Sequence, residues 1–250
     1  LLKPAQRADG VAEDTIEGLH FLFDSKGLLR EGVEIRDPHK RPLAVSRAVL
    51  ERFGLDKLDN PSPVDVIRAV KPTVLIGATA QPGTFRRVMI EEMAKHCERP
   101  LVMPLSNPTS HAEITPSSAL RWTEGRAIVA SGSPFAPVDY DGEQHIIGQA
   151  NNMFVFPGIG LGVQAVGAKR ITDRMFLAAA RALASTVTEE QLKAGQIYPA
   201  ITSVRDVSWE VARATASQAI SEGIADAVDD LDAVLAAEMW SPEYLPYRPA

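Results

Sequence analysis

Three asparagines carry the most chemistry in this sequence: Asn107 in Ser106-Asn107-Pro108-Thr109, and Asn151-Asn152 at the end of Gly148-Gln149-Ala150-Asn151-Asn152. An amide side chain offers an acceptor and two donors without carrying charge. A buried pair of them could hold the carboxylate and the hydroxyl of a hydroxy acid. By spacing alone, a turn residue is the better reading of each. Asp24 marks a second place of interest, because it follows a short apolar stretch and opens Asp24-Ser25-Lys26-Gly27. A carboxylate at the end of a strand can accept a ribose hydroxyl, although in isolation a turn aspartate is the simpler reading. Lys40-Arg41 follows about 16 residues later. Two cations beside an adenine ribose would suit a 2′-phosphate; the plain alternative is a solvated loop.

No catalyst accompanies these groups. The five histidines, His20, His39, His96, His111 and His145, show no metal-ligand spacing. There is no Gly-x-Ser-x-Gly elbow, and no pair of carboxylates forms a convincing acid and base. A dinucleotide fingerprint, Gly-x-Gly-x-x-Gly, is expected about 20 residues before the acid that binds the ribose. Counting back from Asp24 reaches the start of the chain, so the loop and the first strand are expected to be absent from it. Leu1–Leu19 then corresponds to the helix after that loop. Gly160-Leu161-Gly162-Val163-Gln164-Ala165 matches the loose form of the fingerprint, but Pro157 precedes it and no suitable acid follows. Its small residues read better as close helix packing, with Asp173 as a helix cap.

These groups need a scaffold, and the sequence outlines one. His20–Phe23, Thr73–Ile76, Leu101–Leu105 and Ala127–Ala130 are short apolar runs, each closed by a polar turn. Pro63–Val70 reads as a helix capped by Ser62, with Pro63 at its first position. Thr84–His96 and Ser117–Trp122 read as helices between strands. The pattern predicts an α/β fold with a Rossmann-like, doubly wound parallel sheet. Ligands in such sheets collect beyond the carboxyl ends of the strands. The four candidate turns there are 24–27, 77–80, 106–109 and 131–134. After Asn151 the character changes to small apolar residues at Gly158–Lys169, then helices over Asp173–Thr186, Arg205–Ser221 and Ile224–Glu238. The tail Trp240–Ala250, rich in proline and aromatics, is expected to lie extended against another surface. A boundary near Gly195–Thr202 divides the chain into an incomplete dinucleotide-binding domain, 1–200, and C-terminal helices with a tail, 201–250.

Composition narrows the class. The chain has 250 residues, 45% hydrophobic and 23% charged, which suits a globular protein with a sizeable core. A net charge of −6 argues against a general nucleic-acid binder. The single cysteine, Cys97, allows no internal disulfide and fits a reducing compartment. No apolar run approaches the roughly 20 residues of a membrane span. No signal peptide opens the chain, and a cytoplasmic location is the expectation.

Several segments resemble the malic enzymes. They are Phe23-Asp24-Ser25-Lys26-Gly27-Leu28-Leu29, Pro72-Thr73-Val74-Leu75-Ile76-Gly77, the run from Arg99 to Ser110, the run from Gly125 to Phe135, and Gly148-Gln149-Ala150-Asn151-Asn152 with Val155-Phe156-Pro157-Gly158. Ile171-Thr172-Asp173 and Arg205-Asp206-Val207-Ser208 continue the series in family order, and Met239–Arg248 looks like a family carboxyl terminus. The resemblance implies oxidative decarboxylation of L-malate to pyruvate and CO2, with reduction of NAD or NADP and with Mg2+ or Mn2+. By the same analogy Asn107 and Asn152 contact malate, with Asn151 beside them, and Asn107 also lies near the nicotinamide. Asp24 lies by the adenine ribose, and Gly77-Ala78 line the dinucleotide. Ser25 with Lys40 and Arg41 resembles the members that prefer NADP, which makes NADP the expected cofactor and NAD the alternative. A homo-oligomer is expected.

The resemblance also implies what this chain does not supply. In the family, the tyrosine acid, the lysine base, the substrate arginine, three carboxylate metal ligands and the glycine-rich loop lie upstream of these segments. The chain alone is therefore expected to be inactive, as a part of an enzyme recorded as a fragment. The competing expectation is a non-catalytic binding or assembly module with the same sheet. A third reading, a dehydrogenase of the amino-acid type, is disfavoured by Asn107 and Asn151-Asn152 in their flanking context.

Overall fold

A computed structural model of the chain describes residues 2–241 and 243. The chain groups into two compact units: residues up to Asn151 with Thr188–Tyr198, and Asn152–Val187 with the chain from Pro199 onward.

The first unit opens with two short helices, α1 (Leu2–Ala8) and α2 (Glu13–Glu17). Next comes an antiparallel pair, β1 (Phe23–Asp24) and β2 (Gly27–Leu28), in which Phe23 opposes Leu28 and Asp24 opposes Gly27. This corrects the expectation for His20–Phe23, which is not a strand of the parallel sheet. The turn residues fold it back on its successor: Asp24 Oδ1 accepts the Lys26 N–H at 2.9 Å, and Gly27 takes φ +117°, a region open to glycine. Leu28, Val45, Val49, Leu50, Leu55 and Val66 form a buried cluster around this hairpin, with Val49 and Leu50 on α3 (Arg47–Arg52).

Helix α4 (Pro63–Val70) begins as the sequence predicts. Ser62 accepts the Asp65 N–H, and Asp65 returns the bond to the Ser62 N–H, a reciprocal cap with Pro63 in the first turn. The parallel sheet follows: β3 (Val74–Gly77), β4 (Leu101–Pro104), β5 (Ile128–Ser131) and β8 (Gly148–Gln149), side by side in that order. Val74 pairs with Leu101, Leu101 with Ile128, and Ala130 with Gly148. The fourth sheet strand is thus the polar Gly148–Gln149, which has too few apolar residues to announce itself as a strand. Between β5 and β8 stands an antiparallel pair, β6 (Val138–Tyr140) and β7 (Glu143–His145).

Helix α5 (Arg87–His96) connects β3 to β4, and α6 (Pro116–Trp122) connects β4 to β5. Met89, Ile90 and Met93 on α5 and Ala119 and Leu120 on α6 are buried with Val102 and Val129 of the sheet. The helix expected from Thr84 starts three residues later. Phe85 N–H is instead donated to the Glu113 carbonyl at 3.2 Å, and Arg86 is extended. At the sheet edge, Val74 and Ile76 of β3 are 43% and 51% exposed.

The second unit is helical: α7 (Phe156–Ala165), α8 (Asp173–Ser185), α10 (Val204–Ser221) and α11 (Leu231–Glu238). The short α9 (Glu189–Lys193) lies in the first unit. Gly160-Leu161-Gly162 sits inside α7, where no strand-to-helix loop exists. A Cβ on Gly158 would stand 2.6 Å from the Ser208 carbonyl oxygen, and one on Gly162 2.5 Å from that of Ala212. The small residues let α7 approach the α10 backbone, four residues apart on one face. Gly160 points into open space. Thr172 is the side-chain cap of α8, with Asp173 as its first residue. The helix expected over Ile224–Glu238 begins only at Leu231, because Gly223 ends α10 at φ +66° and Asp230 caps the Ala233 N–H. Arg205 binds the Trp240 carbonyl at 2.9 Å and Ser241 Oγ at 3.1 Å. The rest of the proline- and aromatic-rich tail lies outside the described residues. Among the described residues no helix is long and apolar enough to cross a membrane.

Candidate active-site edge

The carboxyl ends of the four parallel strands bring four loops to one edge of the first unit: 77–80 after β3, 106–109 after β4, 132–134 after β5 and 150–151 after β8. Three of the four expected turns are there. The fourth, 24–27, closes the separate hairpin, and its place is taken by Ala150-Asn151. Ala150 is pinned to the sheet by its N–H, donated to the Ser131 carbonyl at 2.8 Å. Asn107 and Asn151 therefore leave strands separated only by β5. With neighbouring strands roughly 4.8 Å apart, β4 and β8 themselves run about 10 Å apart. Asn152 follows directly and begins a 3-10 turn at the start of the second unit.

Asn107 is exposed, Asn151 half-buried and Asn152 exposed, so the amides are open to solvent and not the buried pair the sequence suggests. A strand end is an edge, and only further surface closing over it would bury them. Asn107 is nevertheless held. Its Oδ1 accepts from Ser133 Oγ at 2.5 Å, and its Nδ2 donates to the Leu105 carbonyl at 3.4 Å. A carbonyl can only accept, which fixes which end of the amide faces it. One proton of Nδ2 remains for a ligand. Gly132 lies directly beneath. A Cβ there would stand 2.1 Å from the Leu105 carbonyl oxygen and 3.1 Å from Asn107 Nδ2. The peptide between Asn107 and Pro108 is cis.

Glu113 is the group that sequence reasoning missed. It is fully buried, and among the described residues no cation pairs with it. Oε1 accepts from Thr79 N–H at 2.7 Å, Thr79 Oγ1 at 2.9 Å and Ser106 Oγ at 2.5 Å, and Oε2 from Ser106 N–H at 3.4 Å. Burial pushes this carboxyl up, but the bonds from Ser106 and Thr79 outweigh it and hold the group below the usual carboxylate range. Ser106 Oγ in turn accepts from Ala80 N–H at 2.8 Å, and Ala80 has φ +54°, an uncommon backbone for a residue with a side chain. Gly77 serves the same cluster. A Cβ on it would meet Glu113 and Phe85 side-chain carbons at 2.7 Å. The signal in the sequence was a carboxylate between Ala112 and Ile114, itself in a turn-rich stretch.

The hairpin carries the other expected residues. Asp24 Oδ2 pairs with Lys40 Nζ at 3.0 Å. The bond from the Lys26 N–H, then that from Lys40, holds the Asp24 carboxyl below its ordinary value. Ser25 is exposed at the tip of the turn. Arg41 donates Nε to the Ile35 carbonyl at 2.9 Å, and Ala78 is exposed beside Gly77. An ionised carboxylate with a lysine beside it is a donor and acceptor set that fits a ribose diol.

At the opposite edge, the amino ends of β4, β5 and β8 surround a cleft of 360 Å³ lined by Glu98, Arg99, Arg126, Glu143, His145 and Lys193. Arg126 is engaged there with the carbonyls of Ala94, Cys97 and Glu98 at 3.0–3.2 Å. The remaining charges are of both signs. Among the described residues no three of His, Cys, Asp and Glu come together as a metal would need.

Comparison with known proteins places this edge in context. The profile of the family described as "Malic enzyme, NAD binding domain" matches residues 1–220. The chain is 43% identical over 244 residues to an "NAD-dependent malic enzyme" of Sodalis glossinidius, covering 97% of this chain and 43% of that protein. It is 42% identical over 243 residues to one of Acinetobacter baylyi, covering 96% and 43%. The crystal structure of Entamoeba histolytica malic enzyme superposes with a TM-score of 0.62 at 27% identity, covering 87% of this chain and 41% of that one. The chain thus spans less than half the length of these relatives.

Proposed function

Because the chain belongs to the malic enzyme NAD-binding domain family, we propose that it is part of an enzyme that oxidises L-malate to pyruvate and CO2 while reducing NAD. The observation that carries this is the carboxyl edge of the sheet, where Asn107, held by Ser133 at 2.5 Å, and Asn151 flank β5. A span of about 10 Å between two strand backbones leaves room for a four-carbon dicarboxylate between their side chains. Asn107 offers its free Nδ2 proton to a malate oxygen and, from the same strand end, borders the nicotinamide. Asn151 is the second contact to malate from this unit, and Asn152 is a further contact only by the family resemblance. Gly77 and Ala78 line the dinucleotide, and Asp24 with Ser25 meets the adenine ribose.

These residues bind and orient the substrate. The proton transfers belong to residues elsewhere in the complete protein, which we propose assembles as a homo-oligomer. A bound Mg2+ or Mn2+ would polarise the keto oxygen for decarboxylation. The described residues offer no cluster to hold it. The full-length protein should reduce NAD only when malate and a divalent ion are both present, and the 250-residue chain alone should not. Absence of malate-dependent NADH formation by the full-length protein would make the chain a binding or assembly module.

Cofactor choice turns on the hairpin. The names of the relatives favour NAD. In favour of NADP as a second reading, Lys40 already stands 3.0 Å from Asp24 and offsets the charge that would repel a 2′-phosphate, and Arg41 is the neighbouring cation. Replacing Lys40 and Arg41 together by alanine distinguishes the two. If they read the phosphate, kcat/KM for NADP falls roughly tenfold or more, as for the loss of a charge-assisted contact, with a clearly smaller loss for NAD. Equal effects on both dinucleotides would leave the pair as a surface feature.

A further inference from the structure

Resting on the malate-and-dinucleotide reading of this edge, we propose that Glu113 is the positioning residue that ties the cofactor loop after β3 to the substrate loop after β4. Among the described residues the other side-chain tie between the two loops is the single bond from Ala80 N–H to Ser106 Oγ at 2.8 Å, and Glu113 makes four. Thr79 is bound by its N–H and its hydroxyl, and Ser106 by its hydroxyl and its N–H, all to the two oxygens of one carboxylate. Ser106 carries the link one step further to Ala80 N–H, and it is the residue immediately before Asn107. Gly77, the residue of β3 nearest the dinucleotide, has no room for a side chain because Glu113 occupies that space.

The chemistry explains why a carboxylate is used. Four donors converge from two loops, and a group that only accepts satisfies all of them. A neutral amide would turn a donor toward one of them. The anion is stabilised by those donors together with its own backbone N–H, and among the described residues no cation pairs with it. Moving it would release both loops together. It touches neither substrate nor cofactor, and its effect on the reaction is entirely through Asn107 and through the backbone of 77–80.

The test uses the full-length protein with malate and NAD. Wild-type turnover comes first: without it the functional reading fails, and the Glu113 question is then read from NAD binding alone. Glu113→Ala should raise the Michaelis constants for malate and for NAD together, each about tenfold, beyond any fall in kcat. A protein that is only less folded would lose active molecules and therefore kcat, with both Michaelis constants unchanged. Glu113→Gln keeps the three bonds on one oxygen and should rise about threefold or less. Ser106→Ala, which removes the hydroxyl's bonds with Glu113 and Ala80 and leaves both Thr79 bonds to Glu113 in place, covers the case in which Glu113→Ala does not fold and should raise the malate constant more than twofold. In the absence of turnover, Glu113→Gln and Ser106→Ala should still weaken NAD binding measured by NADH fluorescence competition. The proposal is overturned if Glu113→Ala folds with both constants within twofold of wild type, or if Ser106→Ala leaves both malate and NAD parameters unchanged.

Discussion

Asn107→Ala in the full-length protein is expected to lower kcat/KM for malate on the order of 100-fold, the usual cost of removing one preorganised donor at a reacting oxygen. The geometry explains the size. Asn107 Nδ2 is fixed by the Leu105 carbonyl and its Oδ1 by Ser133 Oγ, so the remaining proton is aimed before malate arrives, and no ordering cost is left to pay on binding. Alanine removes the donor and leaves Ser133 without its acceptor. Asn107→Asp separates the two effects. It keeps an oxygen for Ser133 but sets a carboxylate against the Leu105 carbonyl and against a dianionic substrate, so the loss should be as large or larger. Ser133→Ala keeps the donor and loosens it, with a loss nearer tenfold. Steady-state kinetics with malate as the varied substrate decide the matter. If Asn107→Asp and Asn107→Ala both stay within threefold of wild type, the asparagine does not meet malate and the substrate site lies elsewhere.

The parts of this fold that were legible in the sequence are those written in local chemistry. Val74–Gly77, Leu101–Pro104 and Ile128–Ser131 are apolar runs ended by turn residues, and each became a parallel strand. Ser62-Pro63 with Asp65 announced a helix start because the cap is made within four residues. Asn107 was visible as an amide in a strand-ending turn. What stayed hidden depends on partners distant in the chain. Gly148–Gln149 is a strand only because β5 supplies the hydrogen bonds. His20–Phe23 reads as a sheet strand, but only Phe23–Asp24 is extended and it pairs antiparallel with Gly27–Leu28 across the turn. Glu113 looks like any exposed glutamate until residues 34 positions away, at Thr79, converge on it. The helix expected from Ile224 starts only at Leu231, where the Asp230 side chain accepts the Ala233 N–H. Burial and hydrogen bonding at such positions are decided by tertiary packing, which outweighs local propensity.

Gly132→Ala should be the most damaging single change at the sheet edge for stability. Its φ is not in the left-handed region, so backbone freedom is not the reason for glycine there; space is. The added Cβ would stand 2.1 Å from the Leu105 carbonyl oxygen and 2.7 Å from the carbonyl carbon, far inside contact distance, and neither atom belongs to a movable side chain. The two strand ends cannot simply part. Gly132 N–H is donated to the Pro104 carbonyl at 3.0 Å, and Leu105 N–H to the Gly77 carbonyl at 2.8 Å, so relief requires breaking the ladder on one side or the other. Overpacking of this kind costs about 3 kcal/mol, and for a chain of this size each kcal/mol lowers the unfolding midpoint by about 2–4 °C. A fall of about 6–12 °C is therefore expected. Because the same Cβ lies 3.1 Å from Asn107 Nδ2, the substitution placed in the full-length protein should also raise the malate Michaelis constant about tenfold. Gly160→Ala is the control: its Cβ meets nothing within 4 Å, and replacing glycine inside a helix should add about 0.5–1 kcal/mol of stability. A Gly132→Ala protein melting within 2 °C of wild type, with unchanged kinetics, would show that the ends of β4 and β5 are looser than their spacing implies and that Asn107 is not fixed by this contact.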